Sequence, residues 1–191
     1  MKTLNHITHL FSGYSFRGKV KHLPQGDLAV IQLKDLQEDY STIGTQLTRV
    51  NAEAVKRKYY LQKGDVLFVS KGANNRALVY HLDLPRATAS SSFFIFRCDR
   101  TQVEPGYLAW FLNAPLTQHK LKQNLTGTYT LNLNRSVLEQ LEIVLPSLEQ
   151  QRKIASLDQL MQTEKNLSRE LMRKREHFVQ TLLSNSLNPD Q

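Results

Sequence analysis

The chain has 191 residues, of which 40% are apolar and 22% charged. That is ordinary globular material, with room for one full core and an extension, and it excludes a fibrous or disordered protein. The 25 Lys and Arg outnumber the 17 Asp and Glu to give +8, which favours a polyanionic partner such as nucleic acid or an anionic membrane surface.

No apolar run approaches the roughly 20 residues of a membrane span, so no membrane association through a spanning helix is expected. Met1-Lys2-Thr3-Leu4-Asn5-His6 has no signal-peptide apolar region. Cys98 is the one cysteine, which leaves no internal disulfide and suits a reducing cytoplasm.

Taken in chain order, residues 28–33, 65–71, 77–82 and 92–97 read as strands, being rich in Val, Ile, Leu, Phe and Tyr and bounded by turn residues. Gly72-Ala73-Asn74-Asn75-Arg76 between the second and third reads as a hairpin tip, because Gly and Asn tolerate positive φ. Pro105-Gly106 opens a helical stretch over 107–113, which Pro115 interrupts and 116–124 resumes. Asn134 is placed to cap a short helix through Gln140, and 141–145 returns to strand. Past Pro146 there is no Gly, and the next Pro is Pro189. Ser147-Leu148-Glu149-Gln150 has capping-box spacing, and the helix it starts, about 148–184, is roughly 55 Å long at 1.5 Å per residue.

These elements define an α+β chain. Residues 1–146 form a mixed α/β globular domain with a mainly β core, and 147–191 a long coiled-coil-type helix with a short tail. Leu157, Leu160, Leu167, Leu171 and Phe178 follow a heptad-like stripe, interrupted by Glu164 and Lys174. Such a stripe needs a partner, either another chain or another copy of this one.

Charge divides unevenly between the two parts. Residues 1–148 hold 18 basic and 11 acidic side chains, a balance of +7, whereas 149–191 hold 7 and 6, a balance of +1. A polyanion-binding surface therefore belongs to the globular part, and the helix reads as a protein–protein element.

No catalytic constellation accompanies this charge. Gly13-Tyr14-Ser15-Phe16-Arg17-Gly18-Lys19 resembles a phosphate loop through its Lys, but Val20 stands where Ser or Thr must hold magnesium. The six His residues are scattered, and His6-x-x-His9 has no third ligand nearby, so no metal site is expected. Neither a nucleophile elbow nor a dinucleotide loop occurs, and no cofactor is expected.

Recognition chemistry is present instead, in three polar patches. Lys71, Asn74, Asn75 and Arg76 sit at the expected hairpin tip, where Asn can pair with adenine and Arg with guanine or phosphate. Thr126, Thr128, Tyr129 and Asn132 form a second patch, and Arg17, Lys19, Lys21 and His22 a third.

Four segments together resemble the DNA specificity subunits of type I restriction–modification systems. They are the opening stretch ending in Ser12-Gly13-Tyr14-Ser15-Phe16-Arg17-Gly18-Lys19-Val20, and Gly64-Asp65-Val66-Leu67-Phe68-Val69-Ser70-Lys71-Gly72. Pro105-Gly106-Tyr107-Leu108-Ala109-Trp110-Phe111-Leu112-Asn113 and Leu145-Pro146-Ser147-Leu148-Glu149-Gln150-Gln151-Arg152-Lys153-Ile154-Ala155 complete the set. The resemblance implies a non-catalytic subunit that selects the double-stranded DNA on which methyltransferase and restriction subunits act. Family members usually carry two recognition domains, each followed by a long helix, with the helices packed antiparallel. One of each here implies a half-subunit that pairs through its helix with a second copy or another half, and reads a split site. The alternative in another class is a dimeric nucleic-acid-binding regulator or RNA-binding module outside restriction systems.

Overall fold

A computed structural model describes residues 1–37, 40–71, 74–124 and 133–187. It contains nine strands and four α-helices among those residues. The strands are β1 (Lys2–Thr3), β2 (Thr8–Ser12), β3 (Leu28–Ile31), β4 (Thr48–Val50), β5 (Val66–Val69), β6 (Ala77–Val79), β7 (Ala87–Ala89), β8 (Phe93–Cys98) and β9 (Glu142–Ile143). The helices are α1 (Pro105–Asn113), α2 (Pro115–Gln123), α3 (Arg135–Glu139) and α4 (Leu148–Leu187).

Two compact units result, Met1–Ala155 and a second from Ser156 onward. The first extends beyond Pro146 because the opening turns of α4 are fastened to the globular part. Gln151 is buried, and its amide accepts from the backbone N–H of Glu104 and donates to the carbonyls of Gln102 and Pro146. Ser147 accepts from the Gln150 backbone N–H at 3.3 Å, while the return bond joins the two side chains.

Within the first unit, a four-stranded antiparallel sheet has the order β2-β8-β5-β6, and a three-stranded sheet has the order β4-β3-β7. β3 pairs antiparallel with β4 and parallel with β7, while β1 and β9 pair separately. Alternation along β5 sends Val66 and Phe68 to one core, with α1, Leu121 and Leu138, and Leu67 and Val69 to a second core between the sheets. β3 alternates in the same way. Ala29 and Ile31 face the second core, whereas Leu28 and Val30 face a third with Val50, Tyr14, Phe16, Tyr59 and Tyr60. Both strands are buried on two faces, which is why they read as continuous apolar runs rather than alternating ones.

Mixed α/β structure, a β-rich core and a long C-terminal helix are all present. Element ends differ from expectation. β3 stops at Ile31, since residues 33–35 turn into a 3-10 helix whose Asp35 carboxylate accepts from the Gln32 backbone N–H. β9 keeps only two residues, Glu142–Ile143, because only Lys2–Thr3 is available to pair with it.

Candidate nucleic-acid interface

The Gly-Asp motif lies at the N-terminal end of β5 and is internal. Asp65 is buried, and Arg97 on β8 grips both of its oxygens, at 3.0 and 2.8 Å. The same guanidinium donates to the Tyr60 carbonyl at 2.9 Å and lies over the Phe11 ring. Asp65 also accepts from the Gln62 backbone N–H. Gly64 adopts φ +92° with the Arg100 guanidinium directly beside it, so a side chain there would be strained and obstructed. This motif therefore ties β5, β8 and the 57–60 turn together, with both Asp65 oxygens engaged internally.

The opposite end of β5 has a different character. β5 and β6 form the expected hairpin, with Phe68 opposite Ala77. Its base is clamped: the Val69 backbone N–H donates to the Arg76 carbonyl, and the Asn75 side chain donates to the Val69 carbonyl at 2.8 Å. Gln118 on α2 donates to the Asn75 carbonyl at 2.7 Å. Beside it, the Asn113 side chain accepts from the Ala77 N–H and donates to the Ala77 carbonyl, filling the edge of β6 as a neighbouring strand would.

The expected contact from Asn75 to a DNA base is therefore corrected. Only 5% of its surface is exposed, and its amide already holds the hairpin together. Lys71 and Asn74 are exposed and Arg76 is half-buried; neither Lys71 nor Arg76 makes an ion pair among the described residues. Thr126, Thr128, Tyr129 and Asn132 lie outside the described residues. Leu133, which follows them, is buried and donates its N–H to the Ser70 carbonyl, so it sits immediately beside the end of β5.

The third patch begins where β2 ends. β8 lies between β2 and β5 and runs antiparallel to both, so Ser12 faces Phe94 and Val69 faces Phe93. The segments leaving β2 and β5 thus emerge at the same end of the sheet, separated by two strand spacings, roughly 10 Å. Gly13 donates to the Phe93 carbonyl and Tyr14 to that of Ala89. The carbonyls of Ala89 and Ser90 occupy the space a Gly13 side chain would need. That close crossing carries the chain from the large sheet to the outer face of the small one.

Arg17, Lys19 and Lys21 are all exposed on that outer segment. Tyr14 packs edge-on against Phe16 at 4.7 Å and against Tyr59 at 5.3 Å. The Arg49 N–H donates to His22 Nδ1, and the Leu23 N–H donates to the Arg49 carbonyl. Exposed Arg49, Lys56, Arg57 and Lys58 therefore join the same surface, and Lys58 sits 5.1 Å from the Tyr59 ring centre.

These four cations were not singled out by the sequence. Lys56-Arg57-Lys58 before Tyr59-Tyr60 is a visible signal, but only the packing of Tyr59 on Tyr14 assigns it to this face. Lys122 is a further omission: it follows Gln118 by one helical turn on α2, an exposed cation on the helix stripe that meets the hairpin.

No group of metal-ligating side chains occurs among the described residues, and no helix among them is long and apolar enough to cross a membrane. Burial pushes the Cys98 thiol up to about 12, with the Asp65 charge adding to the effect. A thiol so placed is not a nucleophile near neutral pH.

The chain thus combines a β-rich head with one long helix, and two basic segments, those that follow β2 and β5, start from the same end of the four-stranded sheet. A family model described as type I restriction modification DNA specificity domain matches residues 1–173, and the chain belongs to that family. Three solved structures share the fold. The type I restriction-modification system S subunit from M. genitalium has 18% identity and a TM-score of 0.59 over 96% of this chain and 45% of that one. The HsdS subunit from Thermoanaerobacter tengcongensis has 16% identity and a TM-score of 0.64 over 97% and 47%. A chain from work on complex assembly and conformational transition of the type I R-M system has 20% identity and a TM-score of 0.67 over 99% and 45%. The chain thus spans less than half the length of these solved relatives. No curated protein matches it in sequence.

Proposed function

We propose that this chain is a DNA-reading unit of a type I restriction–modification specificity subunit, without catalytic activity of its own. Its globular unit binds double-stranded DNA. Its long helix pairs with a second copy or with another reading unit. The pair directs methyltransferase and restriction subunits to a bipartite site in the cytoplasm. The observation that carries this reading is the departure of two basic segments, those following β2 and β5, from one end of the four-stranded sheet, in a chain matched by the specificity-domain family over residues 1–173.

Charge and geometry divide the labour. Arg17, Lys19, Lys21 and the 49–58 cations neutralise phosphates and release counterions, giving affinity that is independent of base sequence and falls with salt. Asn74, Arg76 and the 126–132 stretch supply the base-edge contacts, each good bidentate pair discriminating by about 1–3 kcal/mol. Two readers related by a two-fold axis would read half-sites with uncontacted base pairs between them.

The test is twofold. Arg76→Ala and Lys71→Ala are expected to weaken duplex binding, and Lys71→Ala to lower the slope of log K against log salt by about 0.9. Unchanged binding in both would move the interface elsewhere. Mapping modified adenines in the host genome with and without this gene is expected to reveal a split motif that disappears on deletion.

A further inference from the structure

Helix α2 carries none of the DNA contacts proposed above, yet it is fastened to the β5–β6 hairpin. The Gln118 amide donates to the carbonyls of Asn75 and Leu112, both at 2.7 Å. Asn113, the last residue of α1, holds both backbone groups of Ala77. Beneath these bonds, Leu121 is buried in the same core as Phe68, Ala77 and Leu133. Polar bonds and packing thus hold α2 and the hairpin base together, so the helix cannot shift without moving the hairpin.

This part of the chain is also free of acid. Residues 105–138 contain no Asp or Glu, although the average of 17 in 191 would place about three there. Residues 66–82, which include the hairpin, contain none either. Buried Thr117 and Leu121 mark the inner face of α2, which puts the exposed Lys122 and Lys120 on opposite shoulders. Lys122 follows Gln118 by four residues and so rises on the hairpin side, whereas Lys120 rises on the far side. Lys122 makes no ion pair among the described residues.

Contacts to phosphates set where a protein sits on a duplex, and contacts to base edges set which sequence it prefers. A cation one turn from the clamp on the hairpin root can fix the register of the hairpin against the bases without itself reading one.

We infer that α2 is the phosphate-holding wall of the DNA-reading site. Lys122 takes a backbone phosphate beside the bases that the hairpin meets, and Gln118 is the positioning residue that carries this anchorage to the hairpin. The inference rests on the DNA reading proposed above and adds to it an element with a separate role.

The probes are a duplex selected by the full-length chain from a randomised pool and a scrambled version of that duplex. Binding is followed by fluorescence anisotropy through a salt series. Lys122→Ala is expected to lower the slope of log K against log salt by about 0.9. It is expected to weaken both duplexes by the same factor, within about twofold. Lys120→Ala is expected to leave the slope unchanged. Gln118→Met keeps the bulk of the side chain and removes its donor. It is expected to retain the slope and to cut the ratio of the two affinities by about fivefold or more. A parent chain that binds neither duplex, or enriches no sequence, overturns the DNA reading and this inference with it. A parent that binds and discriminates, while the two lysine variants act alike or Gln118→Met keeps the full ratio, overturns the inference alone. If Gln118→Met fails to fold in a urea titration, the comparison of the two lysines still decides.

Discussion

At its N-terminal end β5 encloses its charges, with Asp65 gripped through both oxygens by Arg97, while at its C-terminal end the exposed Lys71 and half-buried Arg76 have no ionic partners among the described residues. A carboxylate bound in that way cannot be turned to a ligand without loosening two strands and a turn. An unpaired surface cation can meet a phosphate with no internal bond broken. The more conspicuous motif, Gly64-Asp65, is thus framework, and the exposed Lys71 and Asn74 beyond Val69 are the positions proposed above to meet DNA.

Variants at the two ends of β5 put this contrast to the test. The largest effect is expected from Asp65→Ala, which leaves the Arg97 cation without its carboxylate and should cost of order 3 kcal/mol in urea unfolding. A loss below about 0.5 kcal/mol would mean that this end is not a lock. Asn75→Ala strips a partner from the Val69 carbonyl and should cost about 1–3 kcal/mol. Its neighbour Asn74→Ala, like Lys71→Ala, should stay within about 0.5 kcal/mol of the parent while altering DNA binding.

Smaller effects concern single groups. Cys98, with its thiol pushed up to about 12, should resist iodoacetamide at pH 8 when folded and react once urea unfolds the chain. Equal labelling in both states would show the site to be open. Asp27 accepts from the Ala52 backbone N–H and pairs with Arg86, and the first of these contributes most to holding its carboxyl below 3.8. Its stabilisation is present above 3.8 and disappears as pH falls through the lower folded value. Asp27→Asn should therefore lower stability slightly at neutral pH and converge on the parent at low pH, flattening the acid limb of the stability profile.

Much of this molecule was legible in the sequence, for reasons that can be traced. Apolar runs announced β3, β5, β6 and β8 because strands buried on both faces leave little room for polar residues. The proline and capping signals at Pro105, Pro115, Asn134 and Ser147 located the helix starts. β4 and β7 escaped notice, since Thr48-Arg49-Val50 and Ala87-Thr88-Ala89 are too short to show a period, and they become strands only by pairing with β3. Asn75 misled because an amide in a turn looks the same whether it faces water or caps a strand. Arg49 and the 56–58 cations come beside the Arg17–Lys21 segment through contacts spanning tens of residues, which no local window contains.

Asn75, clamped between Val69 and Gln118, has one further consequence. The hairpin has a fixed root, so the exposed positions Lys71 and Asn74 can change identity without disturbing the packed layers beneath. A lineage under pressure to recognise new sites is free to vary those positions while inheriting the root unchanged. On that view, a single buried amide sets where innovation in this protein can begin.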